Sequence, residues 1–123
     1  MKGRGGLFFT LVLILLGFTT GCTYRQIDDL PTPCDTSNVT FSAVVGPIMA
    51  QSCALSGCHD AATRSAGYDL SSYMGTKMCA HQGRLLGAIR HEPGYSPMPK
   101  GGGKLDSCDI VRIEYWINHG MTP

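Results

Sequence analysis

Two cysteines and a histidine within one short stretch, Cys53-Ala54-Leu55-Ser56-Gly57-Cys58-His59, constrain this chain more than anything else in it. Each thiol can add across a haem vinyl group and form a thioether. A histidine directly after the second cysteine is carried under the porphyrin, where a ring nitrogen meets the iron. The common form of such a site has two residues between the cysteines; here there are four, a rarer and wider spacing. On this reading Cys53 and Cys58 carry one covalent haem c per chain and His59 is the proximal iron ligand. Two plainer readings stay open. The cysteines can form a short-range disulfide in an exported protein. They can also be half of a zinc site, which needs two further ligands and finds no second tightly spaced pair in the chain.

The rest of the composition bounds what such a site is set in. The chain has 123 residues, room for one domain and an export segment. Its formal net charge of +1, with lysines and arginines scattered, gives no pull toward nucleic acid. Six cysteines point to an oxidising compartment or a cysteine-held cofactor. Sixteen glycines imply many loops. A domain of roughly 80–100 residues buries a thin core on its own, and a buried cofactor or a disulfide offsets that deficit.

Taken in order, residues 1–21 read as a lipoprotein signal peptide. Lys2 and Arg4 precede an apolar run from Leu7 to Phe18, interrupted only by Thr10 and Gly17 and short for a membrane span. Thr19-Thr20-Gly21-Cys22 resembles a bacterial lipobox, which implies that Cys22 is lipidated and becomes the first mature residue. Plain secretion, with Cys22 in a trimmed segment, is the alternative. Residues 22–38 read as a tether stiffened by Pro31 and Pro33, and residues 39–123 as the domain.

Within the domain, Phe41, Val44, Val45, Ile48 and Met49 repeat at helical spacing over 41–52. Pro47 places the helix start near Ser42 to Val44. Residues 60–82, broken by glycines and serines, read as loop, with at most a short helical turn around 68–73. Gly83 to His91 is a short helix ended by Pro93-Gly94, and 94–104 is a second loop. The last helix is capped by Asp106, has Asp109 in its first turn, can staple Leu105 to Ile110, and stops at Gly120. Ile110, Ile113 and Ile117 share a face beside Trp116. The expected class is all-α: a few short helices and long loops around one haem.

For the far side of the iron, Met98 is framed by Pro97 and Pro99, which fix the backbone around it. A thioether sulfur favours reduced iron. The bland reading is a loop methionine packed on the core. Met74, Met78 and Met121 lack such framing; His81, His91 and His119 are alternatives. The order helix, Cys53/Cys58/His59, Met98, helix resembles a small class I cytochrome c domain over roughly residues 34–120. More narrowly, Gly83 to Ile89 and Pro93 to Gly102 resemble stretches of bacterial haem c lipoproteins. The resemblance implies a cytochrome c-like fold, one haem c, and electron exchange with redox partner proteins. It also implies no enzymatic activity and no small-molecule substrate. With lipid on Cys22, the protein belongs on the periplasmic face of a bacterial membrane or at the cell surface.

Cysteine parity is less determined. If haem takes Cys53 and Cys58, then Cys34, Cys79 and Cys108 remain. Pairing Cys34 with Cys108 pins the domain's entry to its last helix and closes the longest loop, leaving Cys79 free. The rival scheme attaches haem through Cys58 alone and pairs Cys53 with Cys79. Two other functional classes stay open: a non-haem, disulfide-held surface lipoprotein, and a haem sensor or enzyme with an open distal site.

Overall fold

The structure is a computed structural model that describes residues 33–123. The expected signal peptide 1–21, the lipidation position Cys22 and the tether as far as residue 32 lie outside the described residues. Thr40 starts the first helical segment: its backbone is extended and its hydroxyl accepts a hydrogen bond from the Ala43 N–H at 3.1 Å. Phe41–Val45 then winds as a π-helical turn, in which the Val45 N–H reaches back to the Thr40 carbonyl at 3.1 Å. Helix α1, Gly46–Ser52, continues it with Pro47 in its first turn. A regular helix from Phe41 would press the Pro47 ring on the carbonyl one turn back; the widened turn opens the spiral there. The segment therefore starts at Phe41 rather than between Ser42 and Val44.

The stretch 60–82, expected to be loop, contains a second helix, α2, Tyr73–His81. Ser72 caps it, accepting from the Gly75 N–H at 3.2 Å. Gly75 is no breaker here. A Cβ at that position would stand on the Asp69 carbonyl oxygen, so the missing side chain is what lets the helix dock. The Thr76 hydroxyl completes the contact by donating to the Leu70 carbonyl at 3.2 Å. The buried face is Gly75, Thr76, Cys79 and Ala80, a helical repeat of small residues.

Helix α3, Arg84–Ile89, lies within the expected 83–91 and buries Leu85, Gly87 and Ile89. Helix α4, Ser107–Asn118, begins where Asp106 accepts from the Cys108 N–H at 2.9 Å. Gly120, with φ of 91°, follows its end. Ile113 and Trp116 are fully buried; Leu105, Ile110 and Ile117 pack at the edge of the core. The described residues contain no strand, and no helix among them is long and apolar enough to cross a membrane.

The π turn packs on α4, and α3 packs on both α2 and α4. Phe41, Tyr73 and Trp116 meet edge-on or tilted, with ring centres 5.5–6.4 Å apart. The chain after α4 closes this cluster. The Thr122 carbonyl accepts from Trp116 Nε1 at 2.8 Å and from the Phe41 N–H at 3.0 Å, and the Met121 carbonyl accepts from the Tyr73 hydroxyl at 2.8 Å. Cys34 and Cys108 are joined as a disulfide, with Cα atoms 5.2 Å apart, tying the entry segment to the first turn of α4.

Candidate functional site

The Cys53–His59 segment hangs from the end of α1. Cys53 caps that helix, its N–H bonded to the Met49 carbonyl at 2.9 Å. The intervening residues fold into a closed loop. The Cys58 N–H reaches the Leu55 carbonyl at 2.9 Å, and the His59 N–H returns to the Cys53 carbonyl at 3.1 Å. The wide cysteine spacing is thereby taken up locally, and His59 stands beside the helix end.

His59 is held at two further points. Its carbonyl accepts from the Leu70 N–H at 2.9 Å, and its Nδ1 lies 3.3 Å from the Tyr68 carbonyl oxygen. A carbonyl only accepts, so Nδ1 carries the proton, and the neutral ring's lone pair is on Nε2. An imidazole oriented in this way is prepared to ligate a metal through Nε2. Tyr68 is itself fixed by its hydroxyl, which donates to Gln82 Oε1 at 2.6 Å. Gln82 borders a shallow, mainly apolar cleft of about 580 Å³ that also includes Met74 and Met78, both exposed methionines.

The other three cysteines among the described residues are free thiols: Cys53 and Cys79 are buried, Cys58 is exposed. Burial pushes the Cys53 thiol up to about 11, and the charges that Cys79 and Cys58 would carry add to the effect. Burial likewise pushes Cys79 up to about 11. Cys53 and Cys79 share one core, but the alternative disulfide between them is not formed.

Met98 is half-buried and hangs from α3. Its N–H donates to the Ala88 carbonyl at 3.1 Å, and its carbonyl accepts from His91 Nε2 at 3.0 Å. The Tyr95 ring lies on Gly87, where a Cβ would come within 2.6 Å of the ring carbons. Among the described residues no hydrogen bond joins the His59 segment to the Met98 loop; each is suspended from its own helix. His119 is exposed, stacked on Tyr115 with its Nδ1 on the Tyr115 carbonyl at 2.8 Å, and His81 is exposed. Among the described residues no cluster of three or more His, Cys, Asp or Glu side chains is placed to hold a metal ion.

Sequence reasoning missed the Tyr68 carbonyl, a main-chain group that leaves no mark in sequence. It also missed the part His91 and Tyr95 play in fixing the Met98 loop. The one available signal for that was Gly87, set inside the apolar run from Leu85 to Ile89. Comparison with protein families, curated proteins and solved structures finds no match to this chain.

Proposed function

We propose that this chain is a one-haem electron carrier of the class I cytochrome c type, exported and tethered to a bacterial membrane through lipid on Cys22. Cys53 and Cys58 carry the thioethers, His59 is the proximal iron ligand and Met98 the distal one. The observation that carries the reading is the suspension of His59. Directly after Cys58, its Nδ1 proton is committed to the Tyr68 carbonyl at 3.3 Å, which leaves Nε2 for iron. A hydrogen bond from the ring nitrogen that does not face the metal fixes the tautomer and ring orientation of a metal-bound histidine.

The order of elements supports the same reading: a helix running into the attachment segment, a methionine loop between prolines, and a last helix packed on the start of the first. The donor set suits the group, because a porphyrin supplies four of the iron's ligands and asks the protein for one or two. When bound, the haem supplies an iron that cycles between two oxidation states. His59 and Met98 would hold the iron, Cys53 and Cys58 would hold the porphyrin edge, and the loaded chain would exchange electrons with redox partner proteins. The exposed Cys58 thiol is open to a vinyl group; Cys53 is 8% exposed, so its thioether must form before the core closes.

The test is to express the protein with haem-maturation machinery and run a pyridine haemochrome assay. Covalent haem is expected. His59→Ala should keep the thioethers while losing the low-spin spectrum. A mature protein without haem absorbance, or a His59→Ala variant with the parent's spectrum, overturns the reading.

A further inference from the structure

Helix α3 ends in a Schellman turn. The His91 N–H bonds to the Ala88 carbonyl at 3.2 Å and the Glu92 N–H to the Gly87 carbonyl at 2.9 Å, which puts His91 at the position just past the helix cap. Its φ is 57°, the left-handed region, and that position is usually glycine because a Cβ is disfavoured there. Glycine would end the helix more cheaply. The histidine's side chain is not idle, however: it is half-buried and Nε2 donates to the Met98 carbonyl at 3.0 Å. A residue held in a disfavoured backbone region is a pointer to use, and the use here is visible.

The partner of this bond is held from its other side too. The Met98 N–H donates to the Ala88 carbonyl at 3.1 Å, so both main-chain groups of Met98 return to the end of α3. Between them the loop closes on itself, with the Tyr95 N–H on the Glu92 carbonyl at 3.2 Å and the Tyr95 ring seated on Gly87. We infer that His91 is a positioning residue for Met98, clamping its main chain to α3 so that the thioether stays on the iron. This rests on the haem reading above and on Met98 as the distal ligand. An iron–thioether bond is weak and exchangeable. Its persistence depends on how seldom the loop carries the sulfur away, and His91 supplies one of the two main-chain anchors that restrain the loop.

The experiment compares the haem-loaded parent with His91→Gly, His91→Gln and Met98→Ala. Thermal unfolding, the sulfur-to-iron charge-transfer band, the reduction potential and imidazole affinity are read for each. His91→Gly should unfold no earlier than the parent, because glycine suits the left-handed turn. It should nevertheless bind imidazole roughly five- to tenfold more tightly, the effect of one lost hydrogen bond, with a weaker band and a lower potential. His91→Gln, which keeps a donor, should recover part of the difference. In the chain without haem, the Met98 amide should exchange its hydrogen faster in His91→Gly. Unchanged imidazole affinity, band and potential in His91→Gly would reduce His91 to a helix terminator and overturn the inference alone. A parent without the band, whose spectrum changes in both His91 variants and not in Met98→Ala, would make His91 the ligand and overturn it too. A band that survives Met98→Ala removes the distal assignment and the inference with it. A parent that takes up no haem overturns the haem reading itself, along with the inference, and that result is distinct from the others.

Discussion

At the scale of single residues, the thiols give the sharpest prediction. Cys53 ionises near 9 when unfolded and at about 11 in the fold, because burial, and then the charges of Cys79 and Cys58, disfavour its thiolate. Between those pH values the unfolded chain sheds a proton that the folded chain keeps, so stability falls as pH rises. The loss should be on the order of 2 kcal/mol for Cys53. Urea unfolding of the chain without haem at pH 8 and pH 10.5 checks this; equal midpoints would contradict it. At pH 8 an alkylating reagent should label exposed Cys58 before Cys53 and Cys79. Spacing singles out Cys58 and His59 in the sequence; the structure adds that the Cys58 thiol is exposed and that His59 Nδ1 lies 3.3 Å from the Tyr68 carbonyl oxygen. Cys79 was set beside Cys53 only in the rival pairing, because their shared place in the core depends on α2, a helix that the sequence did not reveal. The Tyr68 carbonyl could not be read at all, since every residue has one.

At the scale of elements, α4 was legible to its caps, since Asp106, Asp109, Leu105 and Gly120 are all local signals. Helix α2 was not, and the reason is instructive. Ser72 and Gly75 look like loop residues, yet one is the cap and the other the point of closest approach. The buried face of small residues gives little hydrophobic period to see. The consequence is testable. In an exposed helix Gly→Ala stabilises by about 1 kcal/mol; Gly75→Ala should instead destabilise by about 2–3 kcal/mol, as overpacking against the Asp69 carbonyl forces the helix away. Ser72→Ala should cost about 1 kcal/mol through the lost cap. Denaturant titrations of both variants decide it, and a stabilised Gly75→Ala would show that α2 does not dock as described.

At the scale of the whole molecule, the disulfide between Cys34 and Cys108 spans 74 residues. The structure joins the same two cysteines that the loop-length argument joins. What loop length could not supply is the rest of that corner, where Arg112 Nε donates to the Asp35 carbonyl at 3.3 Å. Replacing both cysteines with serine should lower stability by about 4 kcal/mol in the chain-entropy account, a large share of what so thin a core provides. Thermal unfolding under oxidising and reducing conditions should show the difference in the parent and none in the double variant. The long-range closure of the C-terminal residues on Phe41 and Tyr73 was also beyond sequence reading, because it runs through the carbonyls of Met121 and Thr122. That closure gives the protein an optical gauge. Trp116 is the chain's single tryptophan, is 1% exposed, and has its indole N–H anchored at 2.8 Å. Its emission should be blue-shifted in the native chain and move to the red when the aromatic cluster opens. On the haem reading, a porphyrin that absorbs where the indole emits should drain that fluorescence by energy transfer. Folding and cofactor loading can then be followed separately, from one buried ring, without a label.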